Sequence, residues 1–277
     1  MIYLILAIIS SALVSITMRL SESSIKNNIS LLAINYLICL IMASIYTGFN
    51  NILISHNDVS NTILYGIING FLYLFSFVLF QRSINNNGII LSSLFMKLGI
   101  LIPMIVSIFI FKEIPKVLQV IGFVIALIAI IFINYKKDEY NSLKYDLIIL
   151  LIVNGTTDAM SKIYKELGNP LLSEQFLFYT FLFALILCLI LVCLKKQKFT
   201  INEIKYGVLI GIPNYFSARF LLLSLQFISA VIVYPTFSVG TIIVVILIGI
   251  LLFKEKITQR QSIALIAILL ALILLNL

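Results

Sequence analysis

The sequence predicts an all-α integral membrane protein whose ten transmembrane helices form two inverted five-helix repeats. The first observation behind this fold class is composition: 62% of the 277 residues are hydrophobic and 11% are charged, whereas about 25% of the residues of a soluble domain are charged. The second is a set of apolar runs close to the roughly 20 residues of a spanning helix. The third is an internal repeat. Because the bilayer core offers no water to backbone groups, such runs are expected to be helical.

Charged residues, together with Asn, Pro and Gly, divide the chain into ten apolar spans. The spans cover residues 2–18, 30–49, 62–81, 88–111, 117–134, 145–163, 172–194, 204–226, 229–252 and 259–276. All connectors are short, and the polar connector over 135–144 lies at the midpoint of the chain. We therefore expect a first five-helix repeat over 1–134, a connector over 135–144 and a second repeat over 145–277.

The two halves share short motifs at a shift of about 141 to 143 residues. The matches are Tyr65-Gly66 with Tyr206-Gly207, Gly70 with Gly211, Phe75-Ser76 with Phe216-Ser217, and Phe111-Lys112-Glu113 with Phe253-Lys254-Glu255. Since each half has an odd number of spans, the second half must enter the bilayer upside down. Transporters built from two inverted copies bind their substrate between the copies, near the bilayer midplane.

With these motifs the chain resembles the ten-helix EamA-type members of the drug/metabolite transporter superfamily. The resemblance covers nearly the whole chain and includes the basic residues that end the first and sixth spans, Arg19 and Lys162. The proline usual in the fourth helix of each half is matched by Pro103, whereas Pro235 lies earlier in its span. The resemblance implies a multi-pass transporter of the cell membrane that carries a small metabolite, and it does not name the cargo.

Three ionisable residues lie well inside spans: Lys97, Asp158 and Arg219. A charge at the centre of a helix in lipid costs about 2.5–3.5 kcal/mol, so such residues face a partner or a cavity. One interpretation is a structural pair of Asp158 with Lys97 or with Arg219. In the other interpretation these residues bind cargo, and the excess of cations favours an anionic or zwitterionic, amino-acid-like molecule.

Polar residues of the spans complete the predicted substrate-binding set. Tyr215 and Arg219 are four residues apart and share a helix face, as do Asn154 and Asp158. The remaining members are Asn214, Tyr73 and Tyr234. Polar groups inside spans also join helices without any role in binding. Four glycines, by contrast, are predicted to mark close helix approaches: Gly88, Gly99, Gly240 and Gly249.

Several function classes are disfavoured. The basic residues occupy short connectors, which indicates membrane-surface anchors and no nucleic-acid partner. The only histidine, His56, lies in a connector, and the cysteines are dispersed within spans. The sequence therefore offers neither a metal site nor a catalytic triad, and it contains no phosphate-binding loop. We expect no enzymatic activity and no cofactor, and the sequence shows no docking element typical of a scaffold.

The leading hypothesis is a secondary transporter, an exporter or exchanger that works by alternating access. Its expected partners are a small-molecule substrate and the lipid bilayer. Proton coupling through Asp158 and uncoupled exchange stay open, as do membrane orientation and oligomeric state. The alternative function is a multidrug exporter of lipophilic cations. Such exporters need an unpaired intramembrane carboxylate, which the small multidrug relatives have in their first helix. The first span of this chain has no carboxylate, and its polar side chains are those of three serines and a threonine.

Overall fold

The computed structural model describes residues 1–48, 58–110, 112, 116–134, 145–228, 230–255 and 258–274. The predicted connector 135–144 lies outside these residues, as do His56, Phe111 and Glu113. Within the described ranges the chain is helical and contains no strand. Its helices are α1 (Ile2–Ser21), α2 (Asn28–Thr47), α3 (Val59–Leu98), α4 (Leu101–Phe109), α5 (Val117–Asn134), α6 (Tyr145–Leu167), α7 (Ser173–Leu194), α8 (Ile201–Phe227), α9 (Ala230–Leu251) and α10 (Gln259–Leu274).

The helices are those of a multi-pass membrane protein. In the described part of the chain, six helical stretches are long and apolar enough to cross a bilayer. Their outer faces expose large apolar side chains, among them Ile45, Phe71 and Ile186. Exposed apolar surface on this scale is unusual for a soluble monomer and suits a hydrocarbon solvent.

The third and fourth spans differ from the prediction. Helix α3 continues past residue 81 to a break at Gly88, where φ is 79° and ψ is 168°. Glycine adopts this conformation without the strain that a side chain would impose. A second interruption separates Leu98 from Leu101, because Pro103 has no N–H to donate to the carbonyl of Gly99. The break at Gly88 coincides with the predicted start of the fourth span, whereas the predicted end of the third span at residue 81 and the unbroken span over 88–111 were wrong.

Helices of the first and second halves of the chain pack against each other. Helix α3 packs on α6 and α7, and α8 packs on α1 and α2. Glycines allow two of these crossings. A Cβ on Gly70 would lie 2.6 Å from the Thr180 carbonyl oxygen, and one on Gly211 would lie 2.7 Å from the Asn35 carbonyl oxygen. In both cases a side chain would force the helices apart.

Three of the four glycines predicted to mark close helix approaches do so, and Gly88 does not. A Cβ on Gly99 would lie 2.8 Å from the backbone nitrogen of Gly155 in α6. At Gly240 and Gly249 the neighbours are isoleucine side chains, at 2.7 and 2.6 Å. At Gly88 the neighbour is the Glu255 carboxylate, 2.9 Å away. The contact at Gly99 is therefore the one that brings two backbones together.

Two carboxylates, those of Glu255 and Glu203, accept hydrogen bonds that join separate segments at one end of the bundle. Glu255 accepts hydrogen bonds from the backbone N–H groups of Ile89 and Ile90 at 2.8 and 3.2 Å, and it lies 3.7 Å from the Arg19 guanidinium. Glu203 accepts from two backbone N–H groups, those of residues 26 and 27, at 2.9 and 3.0 Å. These bonds join the ends of helices that are distant in sequence.

Candidate functional site

A cavity of about 70 Å³ lies between α1, α3, α6, α8 and α9. It contains five members of the predicted substrate-binding set: Tyr73, Lys97, Asn154, Asp158 and Asn214. The other residues that line it are Ser11, Val14, Ser15, Ser76, Phe77, Phe80, Met96, Thr157, Ser217, Ala218, Leu221 and Phe237. Residues from both chain halves thus share one polar cavity with apolar walls.

Lys97 is buried in the last turn of α3, just before the interruption at Gly99. Its Nζ donates a hydrogen bond to Ser11 Oγ at 2.9 Å and lies 4.0 Å from the centroid of the Phe237 ring. The hydroxyl and the ring face both stabilise the ammonium charge. Because an ammonium has three N–H donors, the bond to Ser11 leaves donors for a cargo group.

Asp158 belongs to a chain of hydrogen bonds that begins on α3. Ser76 Oγ donates to Asn154 Oδ1 at 3.0 Å. The Nδ2 group of Asn154 donates both to the Met96 carbonyl oxygen at 2.9 Å and to Asp158 Oδ2 at 3.2 Å. The carboxylate is therefore oriented by a neutral amide and keeps acceptor capacity for a cargo donor.

Lys97 and Asp158 line the same cavity without forming a direct pair. Among the described residues, no N–O distance of 4.0 Å or less joins the two groups. The structural interpretation in which Lys97 and Asp158 make a closed ion pair is therefore wrong for this conformation. One positive and one negative group instead face a shared space.

Arg219 and Tyr215 lie outside the cavity lining. Arg219 Nε is 3.0 Å from Glu174 Oε1, and its guanidinium stacks over the ring of Tyr46 at 4.0 Å. The Tyr215 hydroxyl donates to the same carboxylate at 3.4 Å. The predicted alternative in which Arg219 neutralises Asp158 is wrong, and so is the inferred excess of cations, because Glu174 balances Arg219.

Tyr234 is also absent from the cavity lining. Its side chain is buried and packs in an apolar cluster that includes Phe95 and Phe237. Its hydroxyl is buried without a hydrogen-bond partner in the described part of the chain. A tyrosine on an apolar helix can face either a cavity or the packed core, and the spacing of residues in α9 did not distinguish these positions.

Sequence reasoning missed three important contacts. Phe237 gave no signal, because an aromatic side chain in an apolar span is normally a packing residue. Ser11 is one of several hydroxyl residues in its span, and nothing in the sequence separates it from the others. Glu174 lies at the beginning of α7, 45 residues from Arg219, and no helical spacing connects the two positions.

The described residues contain no group of three His, Cys, Asp or Glu side chains arranged to hold a metal ion. The cavity instead offers an ammonium, a carboxylate, amides and hydroxyls. These groups recognise a polar organic molecule through charge and hydrogen bonding.

Comparison with known proteins matches this chain to a protein family. The model of the EamA-like transporter family matches residues 1–135 and 145–277. An uncharacterized protein of Haemophilus influenzae is 23% identical over 190 residues, which make up 66% of this chain and 65% of that protein. A protein of known crystal structure superposes with a TM-score of 0.66 and 12% identity over 99% of this chain and 94% of the other. That superposition supports the fold alone.

Proposed function

We propose that this chain, which belongs to the EamA-like transporter family of the drug/metabolite transporter superfamily, carries a small zwitterionic, amino-acid-like metabolite by alternating access. Family membership makes the protein a membrane transporter and not an enzyme, with a small-molecule substrate and the lipid bilayer as its partners. The cargo class and the mechanism are our proposal. Lys97 binds the cargo carboxylate, and Asp158 binds the cargo ammonium.

The observation that supports this cargo class is the presence of one charge of each sign in one cavity. Lys97 and Asp158 both line it, and each is hydrogen-bonded to a neutral group, Ser11 or Asn154. Buried charges are costly unless they are paired. A zwitterion that spans the cavity supplies both partners at once, whereas an anion or a cation leaves one protein charge unmatched.

The size and charge of the cavity disfavour the alternative, a multidrug exporter of lipophilic cations. Drug-sized ligands occupy pockets of about 300–1,000 Å³, and this cavity is about 70 Å³. Lys97 also repels a cation that approaches Asp158 in a space of this size. Both features favour a compact metabolite that carries its own negative group.

Two features support an inverted repeat of ten transmembrane helices, with halves at 1–134 and 145–277 and the cargo site between them. The first is the correspondence between the packing of α3 on α6 and α7 and that of α8 on α1 and α2. The second is the backbone of the matching Phe-Lys-Glu turns, in which Lys112 and Lys254 have φ values of 53° and 50°. Inverted halves can exchange conformations and expose a shared site alternately to each side.

The charge balance also bears on coupling. A zwitterion that binds between one cation and one anion crosses the membrane without moving net charge. Its transport therefore requires no compensating ion, which is consistent with exchange or facilitated export. Replacing Lys97 or Asp158 by a neutral residue is expected to leave the cargo-loaded site with a net charge.

The test is a competition assay with purified protein in liposomes loaded with a neutral amino acid. Competitors are the amino acid, its amide, which lacks the carboxylate, and its deaminated acid, which lacks the ammonium. We expect only the zwitterion to compete in the wild type, Lys97→Gln to lose discrimination against the amide, and Asp158→Asn to lose discrimination against the acid. Lys195→Gln, at an exposed helix end, is the control. Transport of the amide alone, abolished by Asp158→Asn, would support the multidrug alternative instead.

A further inference from the structure

We propose that Asn154 is a positioning residue that sets the distance between Lys97 and Asp158, so that the transporter selects cargo by the spacing of its ammonium and carboxylate groups. This inference rests on the proposed function and extends it from a cargo class to a selection rule. It assigns Asn154, which the sequence suggested as a cargo contact, a different role.

The first step concerns the hydrogen-bonding capacity of the Asn154 side chain. Both donors of its amide are used, for the Met96 carbonyl oxygen and Asp158 Oδ2, and its oxygen accepts from Ser76. A primary amide has only two N–H donors. In this conformation Asn154 has no donor left for a cargo carboxylate, and its bonds orient other groups.

The second step concerns the backbone that carries Lys97. Beyond Met96 the backbone hydrogen bonds follow the tighter i→i−3 pattern of a 3₁₀ turn. Gly99 N–H donates to the Met96 carbonyl oxygen at 3.2 Å, and Ile100 N–H donates to the Lys97 carbonyl oxygen at 3.4 Å. The Met96 oxygen thus lies at the start of the interruption, and Asn154 binds it there. Asn154 therefore ties the segment that carries Lys97 directly to the carboxylate of Asp158.

The third step concerns the contact between α6 and this interruption. Gly155 follows Asn154, and a Cβ on Gly155 would collide with the carbonyl oxygen of Gly99. The two backbones touch at this point, so neither segment can slide toward the other. The Gly99–Gly155 contact and the Asn154 amide together hold Lys97 and Asp158 at one separation.

This arrangement implies a preference among amino acids that differ only in the distance between their charges. The probes are glycine, β-alanine, 4-aminobutyrate and 5-aminopentanoate, and binding is measured by calorimetry on the purified full chain. We expect the wild type to bind one member about tenfold or more tightly than the others, because a wrong spacing leaves a buried charge without its partner. We expect Asn154→Ala to reduce this preference to about threefold or less, since the carboxylate loses its fixed orientation.

Asn69→Ala is the matched control. Asn69 is also a buried amide that joins two helices, through a 3.3 Å bond to Thr180 Oγ1, and it lies outside the cavity lining. We expect this variant to keep the wild-type ranking even if it melts at a lower temperature. If Asn154→Ala does not fold, Ser76→Ala decides, because it removes one support of the Asn154 amide and leaves Asn154 and Asp158 in place.

The outcomes separate this proposal from the one on which it rests. In one outcome the wild type binds selectively, and folded Asn154→Ala keeps the same ranking with all affinities weakened equally; Ser76→Ala takes its place where that variant decides. This result would overturn the positioning role and leave zwitterion transport intact. Equal affinity of the wild type for all four probes would also overturn the selection rule alone. Absence of binding by any zwitterion would overturn both proposals.

Discussion

The ion pair between Arg219 and Glu174 provides the sharpest test of how charge is distributed in the bundle. The perturbations are Arg219→Gln, Glu174→Gln and the double substitution, compared with a second cycle that combines Arg219→Gln with Asp158→Asn. The structure places Arg219 Nε 3.0 Å from Glu174 Oε1 and places Asp158 at the cavity. Residues that share a contact are coupled energetically, whereas residues without shared partners contribute additively.

The expected magnitude follows from the exposure of the pair. The side chains are 20% and 28% exposed, between a surface pair, worth about 0.2–1 kcal/mol, and a buried pair, whose disruption costs about 3–5 kcal/mol. We therefore expect each single substitution at positions 174 and 219 to lower the free energy of unfolding by about 1–3 kcal/mol. The double substitution should cost less than the sum, with a coupling of about 1 kcal/mol.

The assay is equilibrium unfolding in mixed micelles, read together with binding of a neutral amino acid. The Arg219–Asp158 cycle should show a coupling within about 0.5 kcal/mol of zero. A larger coupling to Asp158 than to Glu174 would refute the charge distribution. Loss of amino-acid binding in a stably folded double variant, Arg219→Gln with Glu174→Gln, would also refute the charge distribution, because it would make Arg219 a cargo contact.

Three further predictions concern packing and capping. Glu255→Ala should lower the free energy of unfolding by about 1–2 kcal/mol, because two backbone N–H groups lose their acceptor; a melt as stable as the wild type would contradict this. Gly155→Ala should yield little folded protein by size-exclusion chromatography, since its Cβ would meet the Gly99 backbone, whereas Gly249→Ala should fold, because its neighbour is a movable isoleucine side chain; equal yields would contradict the backbone contact. Gly240→Leu should impair folding or transport, and normal melting together with normal transport would remove the claim.

Much of the fold was predictable because the lipid bilayer restricts the structures that a spanning segment can adopt. A bilayer forces apolar segments into helices, so hydropathy located α1, α2 and α6 to within a few residues. Local backbone chemistry decided what hydropathy could not. The break at Gly88 depends on a positive φ, and the interruption before Leu101 depends on the missing N–H of Pro103. The first follows the polar connector predicted over residues 82–87, and the second lies within apolar sequence.

The site was partly predictable for a similar reason. Lys97 and Asp158 stand out because a charge in lipid is costly, and the structure brings both to the cavity. The partner of Arg219 was not predictable, because Glu174 is near a span end and far away in sequence. Phe237 was not predictable either, because its role depends on the ammonium that lies over its ring and not on its own residue type.

The most direct test of zwitterion binding is an experimental structure of the protein with a bound neutral amino acid. We expect the cargo carboxylate about 3 Å from Lys97 Nζ and the cargo ammonium about 3 Å from the Asp158 carboxylate, with the Arg219–Glu174 pair unchanged. Cargo bound at Arg219, or a direct Lys97–Asp158 ion pair with the cargo elsewhere, would contradict the proposed site.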